Sequence, residues 1–255
     1  MKKICVMAVL IILCSFPLMA NEVKPVDIGI NEKIGQTIPL DVKFFDEKGY
    51  FVALNEVVKK PTILNFVYFR CPGICSPILT ELTSIVNKMD LELGRDYQIL
   101  TISFNDKEKP ELAAAKKLSY TGLLEKPYDE NAWRFMTGDS ASIYTMTNAA
   151  GFMFKKEGND FVHAGALIVI SPNGKIARYL YGTQYLPFDV KMALTEASEG
   201  KTGPTIARIL QMCYSYNPEG RTYVFNVTRI AGIGILLFAV VFVIVISIKN
   251  KKVKA

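Results

Sequence analysis

Hydrophobic and polar positions follow two different periods along the chain, and the change of period separates strands from helices. Nearly continuous apolar, aromatic or β-branched runs over Ile63 to Phe69 and Tyr97 to Phe104 predict buried strands. From Ser76 to Met89 the apolar residues fall instead at the spacing of one buried helix face. A second helix is predicted from Pro110, which suits a first helical turn, to about Ser119. The chain therefore contains strand-helix-strand-helix units.

Turn-forming residues locate the remaining elements. Asp46 to Gly49 predicts a turn near the N-terminus, and Ser171 to Gly174 predicts a second hairpin. Around these turns we predict strands at Leu40 to Phe45, Tyr50 to Leu54, Trp133 to Thr137, Phe152 to Lys156, Ala166 to Ile170 and Ile176 to Tyr181. Further helices should be capped by Asp139 or Ser140 and by Asp189, with another from Pro204. This order predicts a thioredoxin-like α/β sandwich over residues 37–221, with an added N-terminal hairpin and an insertion before the last hairpin.

The two ends of the chain carry targeting signals. Residues 1–20 combine two lysines, a short apolar run and a terminal Ala20, which is typical of an export signal peptide. An uncleaved N-terminal anchor is the alternative, and residues 21–36 are a surface lead-in. Residues 230–248 are apolar for long enough to cross a bilayer, and the tail 249–255 is rich in lysine. Because lysines collect on the cytoplasmic side, we expect a single-pass cell-membrane protein with a periplasmic domain and a cytoplasmic C-terminus.

The charge distribution argues against nucleic-acid binding. Six lysines near the two ends account for the formal net charge of +6, and the chain between them is neutral. These lysines are Lys2, Lys3, Lys249, Lys251, Lys252 and Lys254. A neutral domain has no general electrostatic footprint for phosphate. One domain is the default at 255 residues, half of them hydrophobic.

The candidate chemistry lies at the junction between the first long strand and its helix. Cys71 and Cys75 would meet the helix N-terminus, where amide hydrogens and the helix dipole favour thiolates. The one histidine, His163, precedes a strand that should lie beside this loop. Two thiolates and one imidazole suit copper, as Cu(I) or Cu(II), whereas a structural zinc site usually has four ligands.

Simpler explanations exist for each of these residues. Cys71 and Cys75 can form a structural disulfide in an exported domain, and a sole histidine can be a bystander. Cys213 can be a third exchanging thiol, although its helical spacing favours a buried free cysteine. Several aromatic residues and methionines near these segments are expected to belong to the core: Phe66, Tyr68, Phe69, Trp133, Met136, Met146 and Met153.

Several segments together resemble the Sco (SenC) family of copper-delivery proteins. They are Tyr68 to Cys75, Ile102 to Asn105, Pro110 to Ala113, Trp133 to Gly138, Phe161 to His163 and Ser171 to Gly174. The resemblance extends from about Pro39 to Pro218. It implies a thioredoxin fold, copper on Cys71, Cys75 and His163, and delivery to the CuA centre of cytochrome c oxidase subunit II. Another protein would then act as the copper donor.

The sequence departs from the family pattern at a few positions. Ser76 follows the second cysteine where many members have proline, and Asn105 or Asp106 stands near a commonly acidic position. The tail from Gln211 to Pro218 has Ser215 and Asn217 where a branch of the family carries potential ligands. Two other functions remain open: a thiol-disulfide reductase that uses Cys71 and Cys75 as its redox pair on the oxidase subunit, and a redox sensor. Delivery needs His163, whereas dithiol exchange does not.

Overall fold

A computed structural model describes residues 28–158, 160–203, 214–217, 222–225 and 242. The predicted export signal, the helix from Pro204, Cys213 and almost all of the apolar run 230–248 lie outside these residues. Among the described residues, no helix has both the length and the apolar character needed to cross a membrane.

The predicted elements that fall within the described residues occur in the predicted order, together with several short elements that the sequence did not predict. The strands are β1 (Gly29–Ile30), β2 (Lys43–Phe45), β3 (Phe51–Ala53), β4 (Thr62–Val67), β5 (Gln98–Ser103), β6 (Trp133–Met136), β7 (Phe152–Glu157), β8 (Asp160–His163), β9 (Ala166–Ile170), β10 (Ile176–Tyr181), β11 (Tyr214–Asn217) and β12 (Thr222–Phe225). The helices are α1 (Leu54–Val57), α2 (Cys75–Lys88), α3 (Pro110–Thr121), α4 (Ser140–Ala149) and α5 (Pro187–Ser198).

A five-stranded mixed sheet forms the centre, in the order β10-β9-β4-β5-β6. β4, β5 and β6 are parallel, and the β9–β10 hairpin adds two antiparallel strands at one edge. Every residue of β4 and β5 is buried, as their unbroken apolar patterns predict for central strands. Helix α5 packs on β9 and β10, and α3 packs on β6 and against α2. The mixed α/β architecture predicted from the element order is confirmed.

Helix α2 follows the central strand β4 and turns one apolar face towards the core. Its buried positions include Ile78, Leu82 and Ile85, which recur at helical spacing. The helix begins at Cys75, one residue before the predicted start at Ser76. The second cysteine is therefore the first helical residue and is held by the helix rather than by a loop.

Of the N-caps predicted for α4 and α5, the structure confirms the first and not the second. Asp139 caps α4, because its carboxylate accepts a hydrogen bond of 2.7 Å from the Ser142 amide. The prediction that Asp189 caps α5 is wrong. Leu186 occupies the N-cap position without a side-chain hydrogen bond, and Asp189 lies inside the first turn. Pro187 sets this earlier start, since its fixed φ suits the first helical position.

The predicted N-terminal hairpin is formed by β2 and β3 and is fixed to the sheet by buried charges. Asp46 closes the turn by accepting hydrogen bonds from the Lys48 and Tyr50 amides. Its other carboxylate oxygen lies 2.6 Å from the Arg134 guanidinium on β6, while Glu47 pairs with Lys117 on α3. These contacts make the hairpin part of the main domain.

A second small sheet, in the order β1-β7-β8, was not fully anticipated. Phe152 to Lys156 was predicted as a strand, and β7 confirms it. The sequence did not indicate that β7 folds back on β8, pairing Phe154 with His163. His163 is the last residue of β8, and this hairpin carries it towards the end of β4.

Candidate metal centre

The loop that presents the thiols begins with a tight turn. After β4 ends at Val67, the Cys71 amide donates a hydrogen bond of 3.2 Å to the carbonyl of Tyr68. The turn places Cys71 at its fourth position, and α2 begins at Cys75. Cys71 is half-buried and Cys75 is buried, and both are free thiols. The strand-to-helix junction therefore presents two thiols a few residues apart.

A buried carboxylate, that of Glu108, holds this turn in place through hydrogen bonds. Glu108 accepts hydrogen bonds from the Phe69 amide at 2.7 Å and from the Arg70 amide at 2.9 Å. The Ser103 hydroxyl, at the end of β5, donates a third at 2.6 Å. The sequence pattern did not indicate Glu108; it placed Asn105 or Asp106 near the position that is commonly acidic in the family.

Asn105 and Asp106 make local contacts. The Asn105 side chain accepts a hydrogen bond from the Lys107 amide, and Asp106 pairs with the Lys107 ammonium at 3.4 Å. Neither contact reaches the thiol loop. Asn105 and Asp106 therefore do not replace Glu108 as the acidic support of this loop.

His163 lies against the second thiol, as its predicted position required. Its Nε2 atom is 3.5 Å from the Cys75 Sγ. Its Nδ1 is 2.9 Å from the backbone carbonyl of Ala164, and a carbonyl oxygen can only accept, so Nδ1 carries the proton. Nε2 then has a free lone pair directed towards the thiols, which is the form of imidazole that binds a metal ion.

Gly165 permits this close approach of the histidine segment to α2. A Cβ atom at this position would lie 2.9 Å from the Gly182 carbonyl oxygen and 3.3 Å from the Ile78 side chain. The Gly182 amide also donates a hydrogen bond of 2.9 Å to the Gly165 carbonyl. A larger residue here would require the Gly182 backbone or the Ile78 side chain to move.

Aromatic rings surround the imidazole. The Phe104 ring centroid lies 4.9 Å from that of His163, Phe152 lies at 5.9 Å and Tyr68 at 6.1 Å. All three aromatic side chains are buried. Phe66, Phe69, Trp133, Met136 and Met146 are also buried, as expected, whereas Met153 is only half-buried. The rings limit the orientations that the imidazole can adopt.

The two thiols have opposite proton affinities. A hydrogen bond from the Cys75 thiol, helped by backbone amides, lowers the pKa of Cys71 to about 4. The same pairing, together with burial, raises the pKa of Cys75 far above its ordinary value. Of the two thiols, Cys71 is therefore the one that ionises first.

The three side chains can hold a single ion. Their ligand atoms, two sulfurs and one ring nitrogen, all lie within 4.8 Å of one another. Within the described part of the chain, this is the group of three or more histidine, cysteine or acidic residues with such a geometry. Two thiolates and one imidazole suit a soft cation such as copper. A structural zinc ion fits this set less well, because it is usually held by four protein ligands.

The comparison with known families decides what kind of domain this is. The family profile described as SCO1/SenC matches residues 34–196, which is more than half of the chain. The chain belongs to the SCO1/SenC family. The match covers both cysteines, Glu108 and His163. The resemblance given by the sequence segments is therefore confirmed.

Individual family members and solved structures agree with this assignment. The SCO1 protein homolog of Bacillus subtilis (strain 168) is 24% identical over 151 residues, which cover 57% of this chain and 75% of that protein. A crystal structure from Aquifex aeolicus VF5 is 28% identical, has a TM-score of 0.59 and covers 65% of this chain and 95% of its own. The structure of Arabidopsis thaliana ScoI with copper bound, at 18% identity and a TM-score of 0.50, covers 65% and 98% and shows the shared thioredoxin-like fold.

Proposed function

We propose that this chain is a copper metallochaperone that binds one copper ion through Cys71, Cys75 and His163. The observation that carries the proposal is the convergence of two sulfurs and one imidazole nitrogen within 4.8 Å of one another. Soft thiolates hold Cu(I), and the added imidazole makes the site tolerant of Cu(II). Copper is the cargo here, and the half-exposed Cys71 leaves one side of the ion open to a recipient.

The recipient that we propose is the CuA site of cytochrome c oxidase subunit II. A solved relative is described as a member of the Sco family of cytochrome c oxidase assembly proteins, which supports an oxidase partner. The donor that loads the chain would be another copper carrier. Transfer needs no net chemistry beyond exchange of sulfur and nitrogen ligands, so the open side of the site is sufficient for it.

The location that we propose is the outer face of the cell membrane, with the domain periplasmic and residues 249–255 cytoplasmic. The support is the export signal at residues 1–20, the apolar run 230–248 and the lysines that follow it. A membrane-impermeant thiol reagent should then label the half-exposed Cys71 in intact, reduced cells. Labelling that appears only after lysis would contradict this topology.

A thiol-disulfide reductase is the second candidate, and the lowered pKa of Cys71 favours it. The Cys71 thiolate would attack a disulfide of the oxidase subunit, which forms a mixed disulfide and releases one client thiol. Cys75 would then lose its proton and attack the Cys71 sulfur, which breaks the mixed disulfide and releases the second client thiol. The client gains two electrons and two thiols, while Cys71 and Cys75 form a disulfide that an external dithiol must reduce. This cycle does not use His163.

Oxidase assembly under limiting copper separates the two functions. Cells lacking the chain are complemented with the wild type, with His163→Ala, or with the control Val162→Ala, which changes an exposed neighbour on β8. Delivery predicts that His163→Ala lowers CuA-containing oxidase while Val162→Ala does not. Full assembly with His163→Ala would refute delivery and favour the reductase.

A further inference from the structure

We propose that Glu108 is the positioning residue of the metal centre. By fixing the turn before Cys71, it sets the separation of the Cys71 sulfur from Cys75 and His163. This inference deepens the proposed function and rests on it for the identity of the ion. The role of Glu108 in the turn can be measured without any metal.

The contacts of Glu108 all point to the thiol loop and its supporting strand. One carboxylate oxygen accepts from the Arg70 amide, and the other accepts from both the Phe69 amide and the Ser103 hydroxyl. The side chain lies in the loop before α3, 38 residues from Arg70 along the chain. Glu108 is only 6% exposed, and no ion pair of the described residues includes it. Its charge is therefore balanced by backbone and hydroxyl donors.

The turn needs an acceptor with two oxygens at this position. Phe69 and Arg70 follow the end of β4, so their amides have no partner strand to bond. A buried amide without an acceptor destabilises the fold by about 1–3 kcal/mol. A glutamine would offer one oxygen and one NH₂ group, so one of the two amides would face a donor. The carboxylate is thus matched to two consecutive amides.

The consequence for the metal ligands follows from the chain connectivity. Cys71 directly follows Arg70 and closes the turn, whereas Cys75 is fixed by α2 and His163 by β8. Of the three ligands, Cys71 is therefore the one whose place depends on this turn. Supporting contacts around metal ligands typically contribute about 10–100-fold in metal affinity. Loosening the turn should weaken binding by moving one sulfur while the other two ligands stay in place.

The test compares Glu108→Gln with Glu111→Gln, an exposed carboxylate three residues further along the same segment. In the metal-free reduced chain, we expect the Phe69 and Arg70 amides to exchange with solvent at least about tenfold faster in Glu108→Gln. Cu(I) affinity, measured by competition with a chromophoric chelator, should fall about tenfold, and the Cu(II)-thiolate absorption should shift. Glu108→Asp, which keeps the charge with a shorter reach, should recover part of both effects. Glu111→Gln should behave as wild type.

Wild-type amide exchange and copper affinity in a folded Glu108→Gln variant would overturn the inference. If that variant does not fold, Ser103→Ala decides, because it removes one of the three donors and leaves the carboxylate. We expect about threefold weaker copper binding and faster exchange at Phe69, and no change in either would equally overturn the inference. If the wild type itself binds no copper, the proposed function fails. The exchange rates, and the equilibrium of the Cys71–Cys75 disulfide with dithiothreitol, would still report on Glu108.

Discussion

The thiol loop and the β7–β8 hairpin supply side chains to the same candidate metal centre but are built in different ways. The loop joins a wholly buried central strand to a long helix, and its turn is fixed by Glu108. The hairpin belongs to a separate small sheet, and β8 is only partly buried. Pairing of His163 with Phe154 in this sheet and aromatic packing around the imidazole together hold His163 beside the thiols. The two thiols are thus positioned by one segment of the main domain, whereas the imidazole is positioned by a different sheet.

Removing a ligand from the thiol loop should have the largest effect. We expect Cys71→Ala to lower the affinity for both Cu(I) and Cu(II) by more than about 100-fold, because both oxidation states use the thiolate pair. Pro72→Ala, an exposed change in the same loop, is the matched control. Metal analysis after dialysis against a chelator measures the outcome. Retention of one copper per chain in Cys71→Ala would exclude the loop as the centre of the site.

The asymmetry between the two thiols can be tested by pH. Because the pKa of Cys71 is lowered to about 4, its reactive thiolate is present above that pH and is lost as the pH falls through it. The alkylation rate by iodoacetamide should therefore be nearly equal at pH 6 and pH 8. For an ordinary thiol of pKa about 8.5 it would fall roughly 80-fold over that range. Mass spectrometry should place the label on Cys71, and preferential labelling of Cys75 would reverse the assignment.

Removing the ligand from the hairpin should affect one oxidation state. His163→Ala is expected to weaken Cu(II) binding about 30-fold and Cu(I) binding by less than about threefold, because Cu(II) favours nitrogen ligands. Titrations of both ions into the reduced chain measure this, with Val162→Ala as the control. The alkylation of Cys71 should be unchanged. Equal losses for both ions would mean that Cu(I) uses the imidazole as much as Cu(II) does.

A smaller effect is expected from the packing that holds the imidazole. Phe104 is 2% exposed, and its ring lies 4.9 Å from His163. Phe104→Leu should lower the free energy of unfolding by about 1 kcal/mol and weaken Cu(II) binding about threefold, while Cu(I) binding stays the same. Denaturant titrations and copper titrations of the same preparation separate the two effects. A matching loss for Cu(I) would show that Phe104 supports the thiol loop as well.

Local signals in the sequence were sufficient for most of the fold and for predicting that Cys71, Cys75 and His163 lie close together. The buried strands and the stripe of α2 are visible because burial imposes a period on the residues themselves. Cys71 and Cys75 stand at a junction that the sequence predicts within one residue. His163 could be assigned to the site because a strand follows it closely and the fold fixes where that strand lies.

The features that the sequence did not reveal depend on contacts between distant segments. β8 is four residues long, and its residue types, Asp-Phe-Val-His, do not alternate between polar and apolar, so its pairing with β7 had no local signal. Glu108 resembles any charged residue before a helix, and only the folded chain brings it to the Phe69 and Arg70 amides. Asp189 seemed the natural cap by residue type, but Pro187 sets the helix start. Residue type and spacing therefore predict elements better than the contacts between them.

Because the two thiols lie in the main domain and His163 lies on the small sheet, an ion bound by all three would act as a crosslink between these parts. Cys71 and Cys75 belong to the main domain, and His163 belongs to the hairpin that packs beside it. Free ion at about 100 times its dissociation constant stabilises the folded state by about 2.7 kcal/mol. Much of that stabilisation must act where the hairpin meets the main domain. We therefore expect bound copper to lengthen the lifetime of the chain under proteolysis, with the copper-free form cleaved first.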